Sequence, residues 1–207
     1  MIKDIIWDFD GTLFDTYPAI ADVFLETFRK FNINENRAEV LKFLHLSLSE
    51  TYDHFSKKHS LSRETLREKF VKPEEAMDVS KAIPFDGAEK VLNHVIDNGG
   101  MNFIYTNRGV STYSFLEYAD HMKYFTEIIT REDGYGRKPS PDCIIYFAKK
   151  YSFNNEETLM VGDREIDVLA AHNAGIKSCY FNSHQISIPT KPHIYIDHLT
   201  ELIPYLK

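Results

Sequence analysis

Four aspartates lie directly after two short apolar runs of the sequence. Asp8 and Asp10 follow the first run, and Asp163 and Asp167 follow the second. Four carboxylates that meet in one place repel one another unless a cation or a proton lies between them. Oxygen ligands alone favour a hard divalent ion, and Mg²⁺ suits a few carboxylates together with waters and a substrate phosphate. The four aspartates therefore predict a Mg²⁺ site.

Hydrogen-bond donors form the second group of candidate site residues. Thr106 and Asn107 follow a third apolar run, Met101–Tyr105, and Lys138 lies in a loop before a proline. With the backbone N–H groups around Gly11, these donors suit phosphate oxygens. Taken singly, each polar residue is more simply a turn residue, a helix cap or a surface lysine. Carboxylates, a metal and phosphate-binding donors in this order together describe phosphoryl transfer.

The elements that must position these residues alternate between strands and helices. Five segments have the character of short buried strands: residues 2–8, Met101–Tyr105, Thr158–Val161, Ser178–Phe181 and His193–Ile196. Apolar stripes at helical spacing lie between them, and the last stripe ends at Gly175. This alternation predicts an α/β fold with a parallel sheet, in which ligands bind beyond the carboxyl ends of the strands. The aspartates and the donors should therefore meet in one crevice.

A helical segment, residues 15–83, interrupts the alternation. Apolar residues recur at helical spacing from Ile20 to Phe31, and three further helices are indicated after them. No strand is predicted within the segment. We therefore expect an α/β core formed by residues 1–14 and 84–207, with a four-helix unit inserted after the first strand.

Composition and charge exclude several classes of protein. The chain has 207 residues, 43% of them hydrophobic, and 24 basic against 31 acidic residues give a net charge of −7. This balance argues against nucleic acid or a membrane surface as a partner. The longest apolar run begins at Cys143 and is far too short to span a bilayer. Since Cys179 is the only other cysteine, no disulfide framework is expected, and the chain is predicted to be cytoplasmic.

The order of these motifs resembles that of the haloacid dehalogenase-like hydrolases. The sequence DFDGTL, residues 8–13, is similar to the first motif of this family, and GDREID, residues 162–167, is similar to the fourth. Thr106 fits the second motif and Lys138 the third. The resemblance covers essentially the whole chain. It implies a Rossmann-like core with an inserted helical cap, as in the subgroup that contains phosphoglycolate phosphatase and β-phosphoglucomutase.

The resemblance implies a catalytic role for four of the matching residues. Asp8 would be the nucleophile that forms an aspartyl-phosphate, and Asp10 would protonate the leaving alcohol and then activate water. Thr106 and Lys138 would stabilise the transferring phosphoryl charge. Family members that act on carbon–halogen bonds do not use the acid–base arrangement of Asp10. A phosphatase acting on a small phosphorylated metabolite is therefore the leading hypothesis, as a monomer or a weak homodimer.

Metal ligands are also implied by the resemblance. Mg²⁺ would be held by Asp8, the backbone carbonyl of Asp10, and Asp163, with Asp167 supporting the site directly or through water. Three alternative functions stay open on the sequence. They are a sugar phosphomutase with the same aspartyl-phosphate, a signalling receiver domain, and a catalytically silent regulatory protein.

Substrate contacts are expected both in the core and in the cap. In the core, the candidates are Gly11, Asn107 and Arg108, the last as the partner of a second anionic group. In the cap, they are His45 and Ser47, in the stretch that matches the specificity loop of the family. The family usually has a glycine there, and this sequence has His45 near that position.

Overall fold

A computed structural model describes residues 1–207 and divides the chain into two units, residues 1–15 with 83–207 and residues 16–82. The strands of the larger unit are β1 (Asp4–Trp7), β2 (Asn102–Tyr105), β3 (Phe125–Ile129), β4 (Thr158–Gly162), β5 (Lys177–Phe181) and β6 (Ile194–Ile196). They form one sheet in the order β3-β2-β1-β4-β5-β6, and every neighbouring pair is parallel. The predicted α/β fold with a parallel sheet is confirmed.

Four helices form the smaller unit: α1 (Tyr17–Arg29), α2 (Arg37–Leu46), α3 (Leu48–His59) and α4 (Arg63–Glu75). Aromatic rings fill its interior, where Phe24 stacks on Phe70 with ring centroids 4.0 Å apart. The four predicted cap helices are confirmed. The first of them ends at Arg29, so that Phe31 lies beyond it.

Helices cover both faces of the sheet. Those of the larger unit are α5 (Ala88–Asp97), α6 (Ser111–Tyr118), α7 (Asp142–Tyr151) and α8 (Glu165–Ala174). On one face, Phe103 of β2 packs in a buried cluster with Phe147 of α7 and Ala171 of α8. On the other, the Asn102 side chain accepts a hydrogen bond from the Trp7 indole at 2.9 Å and donates to the Leu92 carbonyl of α5 at 3.0 Å.

Two elements of the larger unit escape prediction from the sequence. β3 is one of the two edge strands of the sheet, is mostly half-exposed and carries Glu127, so it lacks the apolar run of its neighbour β2. The helix α6 has only eight residues, too few for a clear periodic signal. None of the helices combines the length and the apolar character that crossing a bilayer would take.

The register of the three central strands brings their carboxyl ends to one level. Trp7 of β1 pairs with Ile104 of β2 on one side and with Val161 of β4 on the other. The strand order reverses at this point of the sheet, which is where open α/β sheets bind their ligands. The residues that follow the three strands therefore share one edge of the sheet.

Candidate active site

A cluster of three buried carboxylates lies at this edge of the sheet. Asp8 follows β1, Asp163 follows β4 and Asp167 lies in the first turn of α8, and oxygens of the three lie within 4.8 Å of one another. Gly162 allows this approach, because a Cβ atom there would lie 2.2 Å from the carboxyl carbon of Asp167. Thr12 contacts the cluster as well, with its hydroxyl 3.4 Å from Asp163 Oδ1.

Lys138 neutralises part of this negative charge. Its Nζ lies 2.5 Å from Asp8 Oδ1 and 2.6 Å from Asp167 Oδ1, and none of the three side chains is more than 1% exposed. The loop that carries Lys138 is held by Tyr105, whose hydroxyl donates to the Gly136 carbonyl at 2.6 Å. The structure therefore brings the predicted lysine to the predicted nucleophile.

The protonation preferences of Asp8 and Lys138 show what the cluster lacks. Burial, followed by the charge of Asp167, raises the pKa of Asp8 to about 6. Burial lowers the pKa of Lys138, but the charges of Asp167 and Asp8 outweigh it, so that this pKa lies above its usual value. Asp8 Oδ2 accepts no hydrogen bond. Lys138 alone therefore does not balance the negative charge of the cluster. Oxygen ligands at this spacing fit a hard dication such as Mg²⁺.

Asp10 lies beside the cluster and pairs with an arginine. Nη1 of Arg108 donates to Asp10 Oδ1 at 2.9 Å, and the arginine side chain is 1% exposed. The Asp10 side chain is 19% exposed, whereas the other three predicted aspartates are buried. Arg108 was a candidate contact for the substrate in the sequence. That contact stays a prediction, and the structure places the Arg108 guanidinium against the predicted acid–base residue.

The predicted phosphate-binding donors behave differently from one another. The Thr106 hydroxyl accepts from the Arg108 N–H at 3.0 Å, so its own hydrogen is not used in this hydrogen bond. The Asn107 side chain accepts from the Lys138 N–H at 3.2 Å and so fixes the lysine loop. The Gly11 N–H donates to the Phe14 carbonyl at 2.8 Å, and substrate binding by the N–H groups around Gly11 stays a prediction. Gly11 supports the turn through its φ of +78°, which other residues rarely adopt.

Arg164 is a site residue that the sequence analysis does not single out. Its Nη2 lies 3.9 Å from Asp8 Oδ2, and its side chain is 17% exposed. The backbone N–H of Arg164 donates to Asp167 Oδ2 at 3.1 Å, which closes the first turn of α8. The signal in the sequence is its position inside the fourth motif, directly after Asp163.

The two candidates in the helical unit have local structural roles. His45 lies in the last turn of α2, where burial lowers its pKa and its ring packs edge-on against Tyr17 at 5.0 Å. Ser47 caps α3 by accepting the Glu50 N–H at 3.0 Å. Because this cap restarts a helix at once, the stretch expected to be a specificity loop is helical except at Ser47.

Comparisons with known proteins agree with the motifs. The family model of haloacid dehalogenase-like hydrolases matches residues 5–181. A pyrophosphatase PpaX of Oceanobacillus iheyensis is 29% identical over 178 residues, 86% of this chain and 82% of the relative. A structure described as a predicted phosphoglycolate phosphatase, from Haemophilus somnus, has a TM-score of 0.84 at 19% identity and covers 99% and 97% of the two chains. A subfamily IA hydrolase from Geobacter sulfurreducens has a TM-score of 0.77 at 22% identity over the full length of both chains.

Proposed function

We propose that this chain, which belongs to the haloacid dehalogenase-like hydrolases, is a Mg²⁺-dependent phosphatase that hydrolyses a small phosphomonoester through an aspartyl-phosphate. The chain is an enzyme of the phosphatase type, as the motifs predict. The metal, the covalent intermediate, the residue roles and the substrate are the proposed part.

The carboxylate of Asp8 is the observation that supports this proposal most directly. One of its oxygens is held by Lys138 at 2.5 Å, and the other accepts no hydrogen bond. A buried carboxylate is suited to attack phosphorus when a lysine holds one of its oxygens and the other oxygen accepts no hydrogen bond. Phosphate dianions repel carboxylates, so the attack requires positive charge at the same place.

In the first step, a carboxylate oxygen of Asp8 forms a bond to phosphorus while the bond from phosphorus to the leaving oxygen breaks. Asp10 gives a proton to that oxygen, so that an alcohol leaves. Lys138 and the hydroxyl of Thr106 stabilise the charge on the transferring phosphoryl group. Each of these side chains lies at the carboxyl edge of the sheet, and Thr106 and Lys138 are both buried.

In the second step, water attacks the phosphorus of the aspartyl-phosphate. Asp10, now a carboxylate, accepts a proton from this water, and the bond between phosphorus and Asp8 breaks. Inorganic phosphate leaves and Asp8 is regenerated. The two steps use one acid–base residue in opposite directions, which explains why a second carboxylate is needed two positions after the nucleophile.

Asp8, Asp163 and Asp167, with the backbone carbonyl of Asp10, are the residues that would hold Mg²⁺. When bound, the ion supplies positive charge that offsets the repulsion between the nucleophile and the phosphoryl oxygens. Lys138 contacts Asp8, Arg164 lies 3.9 Å from Asp8, and Arg108 pairs with Asp10.

Inorganic pyrophosphate is a second candidate substrate. The relative from Oceanobacillus iheyensis is named a pyrophosphatase, and Arg164 adds a partly exposed cation beside the nucleophile. This guanidinium is suited to pair with a second phosphoryl group. The chemistry at Asp8 would be the same, with phosphate as the leaving group in place of an alcohol.

A panel of phosphorylated metabolites tests the proposed function. Released phosphate is measured for phosphoglycolate, sugar phosphates and pyrophosphate, with Mg²⁺ and with EDTA. We expect turnover of at least one compound with Mg²⁺ and none with EDTA. Equal turnover in EDTA would refute the metal requirement. Isomerised sugar phosphate without released phosphate would indicate a phosphomutase instead.

A further inference from the structure

Arg108 is held at three points of its side chain. Nη1 donates to Asp10 Oδ1 at 2.9 Å, and Nε donates to the Ser111 hydroxyl at 3.0 Å. The guanidinium carbon lies 4.8 Å from the centroid of the Phe115 ring. The backbone of Arg108 is fixed as well, because its N–H donates to Thr106 Oγ1 at 3.0 Å.

The Phe115 ring that packs against Arg108 also packs against the segment that carries Asp10. The Phe115 ring packs against Phe9 with centroids 5.8 Å apart and against Phe14 at 6.1 Å. Phe9 directly precedes Asp10 in the chain, and the Phe14 carbonyl closes the turn that follows it. The same cluster of aromatic rings therefore packs against Arg108 and against the segment that carries Asp10, which fixes their relative position.

The hydrogen-bond partners of this arginine distinguish two roles. A residue that binds substrate directly directs its donors at the substrate, whereas Nε and Nη1 of Arg108 donate to Ser111 and Asp10, and its Nη2 is buried. Asp10, at 19% exposed, is the member of the pair that faces the solvent. The planar guanidinium fork sets the direction of a bound carboxylate better than an ammonium group does.

We propose that Arg108 is a positioning residue for Asp10. It fixes the carboxylate in the orientation that proton transfer needs, and it acts on the substrate only through Asp10. This inference rests on the proposed function, in which Asp10 exchanges a proton with the leaving oxygen and with water. It gives a role to a residue that the four sequence motifs do not include.

A double-mutant cycle with two substrates tests the inference. The variants are Arg108→Gln, Asp10→Asn and the double variant, and kcat/KM is measured for p-nitrophenyl phosphate and for a simple alkyl phosphate. The nitrophenolate leaves without a proton, whereas an alkoxide needs one. We expect Arg108→Gln to lose about 10- to 100-fold on the alkyl phosphate and at most about threefold on the nitrophenyl ester, the pattern of a weakened acid–base residue.

In the Asp10→Asn background, Arg108→Gln should cause no further loss beyond about twofold, because its effect is transmitted through the missing carboxylate. Additive losses, or an equal loss on both substrates with a raised KM, would overturn the inference and indicate direct substrate contact. Ser111→Ala, which removes only the Nε anchor, should show the same leaving-group dependence more weakly. The Ser111→Ala variant also tests the inference if Arg108→Gln does not fold.

A crystal structure of the Arg108→Gln variant separates this inference from the proposed function. We expect the Asp10 side chain to leave its wild-type rotamer. An unmoved Asp10 would refute the positioning role whether or not the enzyme is active. A wild-type protein that hydrolyses no phosphate ester would refute the proposed function, and the Asp10 position would still test the role of Arg108.

Discussion

Each unit of the molecule has a lysine that bridges two carboxylates. In the larger unit, Lys138 lies between Asp8 and Asp167, and all three side chains are inaccessible to solvent. In the helical unit, Lys58 donates to Glu35 at 3.1 Å and to Glu39 at 2.7 Å, and its side chain is 36% exposed. The two arrangements are alike in geometry and differ in their access to water.

This difference in access to water shifts the carboxyl pKa values of the two units in opposite directions. In the larger unit, burial raises the pKa of Asp8 to about 6 although Lys138 contacts it. In the helical unit, the hydrogen bonds from Lys58 and His54 lower the pKa of Glu39 and outweigh the opposing effect of burial. An ion cluster that is satisfied by its own partners stabilises local structure at most modestly. The buried cluster, which is short of positive charge, is the one to which the proposed function assigns a metal and a phosphate.

Replacing the nucleophile should have the largest effect. We expect Asp8→Asn to lower kcat at least about 10³-fold, because an amide does not attack phosphorus. The matched control is Asp22→Asn in the helical unit, where an exposed carboxylate pairs with Arg37 at 2.8 Å. Turnover of the control should stay near wild type. An Asp8→Asn protein with near wild-type kcat would contradict the covalent mechanism.

The same variant should change stability in a pH-dependent way. The pKa of folded Asp8, about 6, lies above the value of about 3.9 expected for the unfolded chain. Ionised Asp8 therefore destabilises the metal-free fold increasingly as the pH rises through about 6. In EDTA we expect Asp8→Asn to have a higher Tm than wild type at pH 7.5, with the difference shrinking at pH 5. Thermal unfolding followed by circular dichroism measures both.

The two bridging lysines should differ in their effect on catalysis. We expect Lys138→Met to lower kcat by roughly 10²–10³-fold, the usual cost of removing one donor from a desolvated site. Lys58→Met removes the equivalent bridge from Glu35 and Glu39 and should leave kcat within about twofold of wild type. Steady-state kinetics of both variants make the comparison. A loss of less than tenfold in Lys138→Met would mean that the buried cluster works without its lysine.

The smallest expected effect concerns the helix caps of the smaller unit. Ser47 caps α3 and Ser62 caps α4 by accepting the Thr65 N–H at 3.4 Å. Each Ser→Ala change should cost about 1 kcal/mol of stability, since one backbone donor loses its partner. Hydrolysis of p-nitrophenyl phosphate should not change in either variant. A KM that rises in Ser47→Ala and not in Ser62→Ala would assign Ser47 a substrate contact beyond its cap.

Features that the backbone alone determines could be predicted from the sequence. Parallel strands bring their carboxyl ends together in any sheet, so the meeting of Asp8 and Asp163 follows from the strand pattern, whereas the place of Lys138 was indicated only by its match to the third motif. The four helices of the inserted unit follow from apolar spacing. Such features do not depend on the rotamer of any one side chain.

Features that depend on side-chain partners could not be predicted. Arg108 and Asp10 are 98 positions apart, and nothing in their spacing indicates that the guanidinium turns to the carboxylate. The Gly11 N–H is taken by the Phe14 carbonyl, which is a property of the folded turn. The edge strand β3 escapes because its solvent-facing side needs no apolar residues. These are choices among local contacts that only the folded chain settles.

Chemical trapping of the intermediate tests the central claim most directly, that Asp8 carries the phosphoryl group. The enzyme is mixed with substrate and Mg²⁺, quenched in acid within one turnover, and reduced with borohydride, which converts an aspartyl-phosphate to homoserine. Peptide mass spectrometry then locates the modified residue. We expect homoserine at position 8 in wild type and none when Mg²⁺ is replaced by EDTA. An unmodified Asp8 under conditions of full turnover, or homoserine at another aspartate, would contradict it.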